Sequence, residues 1–109
     1  MSGEQSGTEI EVYLSSRFSK AVGKLPESAL KVVEDEIDLI IDNPEVGEQK
    51  RGNLSYLRVH KFSLNGQQVL LGYNWQEEKL TLHLLNIGSH ENFYRDAKSR
   101  RKADMKFIS

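Results

Sequence analysis

Apolar and polar residues alternate over TEIEVYL (8–14). Ile10, Val12 and Leu14 fall on one side and Glu9, Glu11 and Tyr13 on the other, which predicts a short half-buried strand. The period then lengthens. In SSRFSKAVGKL, Phe18, Val22 and Leu25 recur at helical spacing behind a Ser15 or Ser16 cap, and Gly23 and Pro26 break the element. Pro26 suits the first turn of a second helix over 26–42. There Ala29, Leu30, Val33, Ile37, Ile40 and Ile41 share one side, while Glu34, Asp35, Asp38 and Asp42 fall mostly on the other. Asp-Asn-Pro stops it, because the residue before a proline is pushed out of the helical region. The two helices form a hairpin with an acidic outer face.

The second half returns to a period of two. LSYLRVHKF (54–62) places Leu57 and Val59 on one side and Tyr56, Arg58 and His60 on the other. Asn65-Gly66 is a tight-turn signal. QQVLLGYNW (67–75) and KLTLHLLNIG (79–88) supply two further strands, joined by the polar QEE, and from Ser89 the pattern becomes a basic helix with Phe93 and Ala97 on one side. The expected class is α+β: a small antiparallel sheet in the order β-α-α-β-β-β with a short C-terminal helix. The helical hairpin covers one face, and the other face stays open to water.

Length and charge narrow the picture. The 109 residues suffice for one core and not two, so residues 9–102 read as a single domain between a flexible lead (1–8) and a tail (103–109). Residues 1–8 lack the basic-then-apolar order of a secretory signal, and no apolar run is long enough to span a membrane. The absence of cysteine removes disulfides and thiolate metal sites and fits a cytoplasmic protein. Net charge is −1, yet residues 1–48 hold 4 Lys/Arg against 11 Asp/Glu and residues 49–109 hold 11 against 5. Such a chain can present a basic surface while staying near neutral overall.

Two stretches carry candidate chemistry. Alternation puts Arg58 and His60 on one side of their strand, which the core residues Leu57 and Val59 would turn toward the open face. At Gly88-Ser89-His90 a strand ends and a helix starts, leaving free backbone N–H groups near His90 and Asn92, with Tyr94 and Arg95 one turn on. Arginine, imidazole and phenol are what phosphodiester chemistry needs, a cation for the non-bridging oxygens and groups that pass protons. Phe93 reads as packing and His83, inside LTLHLL, as structural. No metal or cofactor motif is present: the three histidines form no i, i+4 pair, and there is no glycine-rich phosphate loop.

These segments together resemble the RelE/ParE superfamily of bacterial type II toxin–antitoxin toxins. The likeness rests on FSKAVGKLP before a long helix, DNPEVGEQKRGNLSYLRVHKF leading into the meander, QQVLLGYNW, and IGSHENFYRDAK after the last strand. The RelE branch implies an mRNA endonuclease, ribosome-dependent and metal-independent, in which the ribose 2′-OH attacks its own phosphate and leaves a 2′,3′-cyclic phosphate. Arg58 would then bind the scissile phosphate. His60 and His90 would be base and acid in either order, and Tyr94 would orient or stack on a base. Lys50, Arg51, Lys61, Gln68 and Arg95 are the implied substrate-binding residues. Gln68 stands where the family carries an arginine, which leaves Arg58 or Lys61 to balance the transition-state charge. The resemblance leaves open a ParE-like toxin that inhibits DNA gyrase, and a weakened toxin that only binds its antitoxin. It further implies a monomeric free toxin, an antitoxin that covers or displaces the last helix, and operator DNA bound only through that antitoxin.

Overall fold

The computed structural model describes residues 9–109 and is an α+β fold whose five-stranded sheet carries helices on both faces. The expected lead, residues 1–8, lies outside the described residues. Strand β1 (Glu11–Leu14) is followed by helices α1 (Ser16–Gly23) and α2 (Glu27–Asp42), then by β2 (Glu48–Gln49), β3 (Arg58–Leu64), β4 (Gln67–Gln76) and β5 (Thr81–Gly88). Helices α3 (His90–Ser99) and α4 (Arg101–Ile108) complete the chain. Residues 103–108, set apart above as a tail, lie in α4. Among the described residues no helix is long and apolar enough to cross a membrane.

Local chemistry fixes the hairpin and the meander. The Ser15 hydroxyl accepts the Phe18 N–H at 3.1 Å and donates to the Leu85 carbonyl at 2.6 Å, so the cap of α1 is also a tie to β5. Asn65 (φ 53) and Gly66 (φ 80) both take the positive φ of a tight hairpin turn and set Leu64 opposite Gln67. The strand expected from residue 54 starts at Arg58. Gly52–Leu54 instead form a 3₁₀ turn, whose local bonds Leu54 N–H to Arg51 C=O and Leu57 N–H to Leu54 C=O consume the backbone groups a ladder would need.

Spatial order in the sheet is β1-β5-β4-β3-β2. The helical hairpin carries the chain from one edge to the other, and the antiparallel meander β3-β4-β5 walks back until β5 meets β1. That last pair runs parallel, with Val12 opposite Leu82, and completes an otherwise antiparallel sheet.

Both faces of the sheet are covered, and this is the principal correction to the sequence reading. Under the hairpin, Phe18, Val33 and Ile40 pack on Phe62, Leu71, Tyr73, Leu82 and Leu84. On the opposite face Phe93 and Ala97 of α3 pack on Leu57, Val59, Leu70 and Leu85. Leu57 and Val59 are thus core residues of the second layer, and their odd-numbered row points away from the hairpin. Arg58 and His60 share the row of Phe62 and Leu64 and turn toward α2. A strand with apolar residues in both rows does not reveal which row meets which helix.

Helix α3 sits close because Gly72 lacks a side chain. A Cβ there would lie 2.7 Å from the Phe93 ring and collide with the Asn86 amide oxygen. Beside it the register steps from Tyr73 opposite Leu84 to Gly72 opposite Asn86. Leu85 is the extra residue, a bulge that turns Leu85 and Asn86 to the α3 side.

Helix α4 is held differently. Arg17 of α1 donates through Nε to Asp96 of α3 at 2.8 Å and through both terminal nitrogens to Asp104 of α4, each at 2.8 Å. Asp104 is 2% exposed, and the Asn86 amide donates to Asp96 at 3.1 Å. The rest of the seat under α4 is mixed: Ile108 packs against the second core, and Gln76 Nε2 donates to the Ile108 carbonyl at 2.8 Å. His83, packed between Tyr13 and the edge of Phe107, is buried, and its Nδ1, the Asn74 Oδ1 and the Tyr56 hydroxyl find no hydrogen-bond partner among the described residues. Burial, and then the nearby Lys79 charge, hold the His83 imidazole below the usual histidine range.

Two measurements check this account. Arg17→Ala strands the buried Asp104 carboxylate and is expected to cost about 3–5 kcal/mol in urea unfolding. Because the folded chain disfavours protonated His83, its contribution to stability is complete above about pH 6.5 and is lost as pH falls through the lower folded-state value. His83→Leu is therefore expected to flatten the decline in Tm between about pH 7 and pH 5 relative to the parent chain.

Candidate functional site

The expected quartet of Arg58, His60, His90 and Tyr94 does not assemble on one face. Arg58 and His60 lie on the hairpin side of β3. The Arg58 guanidinium donates through Nη1 to the Gly47 carbonyl at 2.8 Å and to the Glu45 carbonyl at 3.2 Å. Tyr73, its partner across the β3–β4 pair, donates to the Pro44 carbonyl at 2.7 Å and accepts the Gly47 N–H at 2.9 Å. Burial raises the Tyr73 phenol above its ordinary range, against the opposing pull of the Gly47 N–H, so it remains a hydroxyl donor. Both side chains are thereby spent on the 44–47 segment that leads into β2. His60 is also occupied: its Nε2 meets the Glu36 carboxylate of α2 at 2.6 Å, with Phe62 stacked alongside.

The other face gathers a different set. His90 is exposed at the first turn of α3, and its ring meets that of Tyr94 edge-on with centroids 5.0 Å apart. Tyr94, half-buried, leans edge-on against the core residue Phe93. Lys50, just beyond β2, places its Nζ 5.5 Å from the Tyr94 ring centre and 3.4 Å from Glu48 Oε1. Its ammonium is held above the ordinary lysine range, first by the Tyr94 hydroxyl, with burial pulling the other way and Glu48 adding to the rise. It therefore stays cationic at neutral pH.

Register adds two more groups to this face. Lys61 stands opposite Leu70, and Leu70 opposite Gly88, so Lys61 lies on the strand level at which α3 begins. Gln68, opposite Ser63, is one level farther out in the row of Leu70, on the α3 side. Lys61 and Gln68 are both exposed. The remaining expected residues are peripheral. Arg51 is exposed in the turn after β2, and Arg95, exposed on α3, pairs with Glu91 at 3.7 Å. Ser89 takes the N-cap position, but its side chain makes no capping bond.

The face between α3 and the β2 edge thus offers two lysines, an imidazole, a phenol and an amide. Lysines can neutralise phosphate oxygens, and the imidazole and phenol can carry protons. Sequence reasoning missed Glu36, Asp96 and Asp104, the acids that bind His60 and Arg17. Glu36 had a trace in its spacing, since it follows Val33 by three on the inward side of α2. Asp104 had none, because the basic run around it masks its partner on α1.

A family model described as "ParE-like toxin of type II bacterial toxin-antitoxin system" matches residues 12–98. No curated protein matches the chain in sequence. Among solved structures, an arginine-to-alanine double mutant of the E. coli toxin RelE in the free state superposes with TM-score 0.64 at 18% identity, covering 84% of this chain and 96% of that one. The Mycobacterium tuberculosis toxin–antitoxin complex RelBE2 gives TM-score 0.62 at 22% identity over 74% and 98% of the two chains. The intact E. coli RelBE complex gives 0.60 at 16% identity over 74% and 96%. At these identities the likeness is one of fold.

If Arg58 serves to pin the 44–47 segment, Arg58→Ala is expected to speed amide hydrogen exchange at Gly47 and Lys50 by about 10-fold or more, in proportion to the roughly 1–3 kcal/mol of lost charge-assisted hydrogen bonds. Protection in α3 should be unchanged.

Proposed function

As the chain belongs to the ParE-like toxins of type II bacterial toxin–antitoxin systems, we propose that it is an mRNA endonuclease working through the face of the sheet beside α3. The observation that carries this reading is the grouping of Lys50, Tyr94 and His90, with Lys61 and Gln68 in the rows of the same sheet face, farther toward the β3–β4 turn. Lys50 and Lys61 hold the scissile phosphate and neutralise its non-bridging oxygens. The ribose 2′-OH gives its proton to a group of the His90–Tyr94 pair and attacks the adjacent phosphorus. The P–O5′ bond breaks, and the departing 5′-oxygen takes a proton from the site. The products are a 2′,3′-cyclic phosphate and a 5′-hydroxyl.

Gln68 is neutral where a third cation would help, so the charge load falls on the two lysines. Arg58 takes a positioning role: it anchors the segment that carries Lys50. Tyr94 can also offer a ring face to a base, as aromatic side chains commonly do in RNA recognition.

The reading includes an antitoxin as partner, supported by the RelBE complexes among the structural neighbours. On this chain α4 is the element for it to cover or displace. The helix buries Asp104 but leaves Met105 and Phe107 partly exposed, and Phe107 packs on His83, whose Nδ1 finds no hydrogen-bond partner among the described residues.

The test is expression of the chain alone, with RNA 5′ ends mapped and gyrase-linked DNA breaks assayed in parallel. The parent is expected to produce defined mRNA ends without gyrase-linked breaks. Tyr94→Phe and Lys50→Ala are each expected to reduce cleavage by about 100-fold or more. Intact mRNA together with accumulating gyrase-linked breaks would overturn the reading.

A further inference from the structure

Lys50 approaches Tyr94 on the α3 side of the sheet, with its Nζ 5.5 Å from the ring centre. The side chain that fixes its approach lies on the other side. Tyr73 of β4 is fully buried in the core under the hairpin. Its hydroxyl donates to the Pro44 carbonyl at 2.7 Å and accepts the Gly47 N–H at 2.9 Å. Gly47 is itself buried and allows this approach only because it has no side chain. A Cβ there would lie 2.8 Å from the Tyr73 hydroxyl, 2.9 Å from its ring and 3.1 Å from the Val59 backbone. The chain then enters β2, where Glu48 pairs with Val59 and Gln49 with Arg58. Lys50 follows at once, its N–H bonded to the Leu57 carbonyl at 2.9 Å.

We propose that Tyr73 and Gly47 are positioning residues for the reaction, a joint that sets where the Lys50 ammonium stands beside Tyr94. This role rests on the mRNA-cleavage reading above and adds to it a pair of residues that never meets RNA. Strand β2 has two residues and one neighbour, so its own ladder is a weak anchor. The Arg58 bond to the Glu45 carbonyl is exposed, and water can replace it, whereas the Tyr73 bond to Gly47 is buried. Removing the hydroxyl strands the Gly47 N–H, and the segment must shift until that donor finds water. Lys50 lies three residues along the same short edge and moves with it. A shift of about 1 Å at a group that neutralises a reacting phosphate costs about 10-fold or more in rate.

The experiment compares cleavage of one mRNA by the full chain, Tyr73→Phe, Lys50→Ala and the double variant. Phenylalanine keeps the buried ring and removes only the hydroxyl. Tyr73→Phe is expected to slow the parent by about 10-fold and the Lys50→Ala chain by less than about 2-fold, because both changes act through one ammonium. NMR supplies a reading that needs no activity: the ring-current shift that Tyr94 imposes on the Lys50 side chain is expected to shrink in Tyr73→Phe, with the α3 amide signals in place. Gly47→Ala presses on the same joint from the chain side and gives both readings again if Tyr73→Phe folds poorly. Equal losses with and without Lys50 would mark a general structural defect and overturn the inference, as would an unmoved Lys50 signal. A folded parent that cleaves no RNA would remove the nuclease reading and the catalytic part of this role. The NMR comparison alone would then decide whether Tyr73 places Lys50.

Discussion

Strands β3 and β4 bury an apolar row on each side, and the side-chain alternation of a strand allows no compromise between the two rows. Phe62, Leu71 and Tyr73 go under the hairpin, while Leu57, Val59 and Leu70 go under α3. Everything about the candidate site follows from that division. It sends Arg58 and His60 toward α2, where backbone carbonyls and Glu36 take up their polar groups. It leaves Lys61 and Gln68 on the α3 side with His90 and Tyr94. Shifting β3 by one residue would exchange the two sets and bury charge in both cores, which is why the register is firmly specified.

Seating α3 and holding α4 are separate problems in this molecule. Contact between Gly72 and Phe93 seats α3 through packing, with the bulge at Leu85 bringing Asn86 alongside. Helix α4 depends on the Arg17 pairs with Asp96 and Asp104. Burial opposes the Arg17 charge, but its hydrogen bonds to the two carboxylates outweigh that cost and bind the cation more tightly. A buried ion pair adds little net stability relative to apolar packing, yet breaking it is expensive. The consequence is a helix held by a charged clasp together with Ile108 against the second core and the bonds Gln76 Nε2 to the Ile108 carbonyl and Arg101 Nε to the Asn53 carbonyl.

Much of the architecture was legible from hydrophobic periodicity. The spacing of Phe18 and Val22, the Asn65-Gly66 turn and the Phe93–Ala97 pair locate α1, the β3–β4 hairpin and α3, because each follows from local geometry. Burial of the second face was not legible from Leu57 and Val59 alone. The missing clue lay in the same segment: Phe62 and Leu64 share the row of Arg58 and His60, so that row also had to find a core. The parallel β1–β5 pair, the Leu85 bulge and the Arg17–Asp104 clasp join residues far apart in the chain, and no local pattern encodes them. For the candidate site, residue type drew attention to His90 and Tyr94 and the family resemblance to Lys50, Lys61 and Gln68, whereas the separation of Arg58 and His60 from them depended on the tertiary division of rows.

The central claim is that the reactive face lies beside α3 and not beneath the hairpin. The most direct measurement compares matched substitutions of the two histidines, His90→Gln and His60→Gln, by mRNA cleavage per folded molecule in cells. Glutamine keeps a hydrogen-bonding group opposite Glu36 but cannot carry a proton at either place. The expected result is a loss of about 100-fold or more for His90→Gln and a rate within a few-fold of the parent for His60→Gln. Full cleavage by His90→Gln together with its loss in His60→Gln would place the chemistry on the other face and contradict the account.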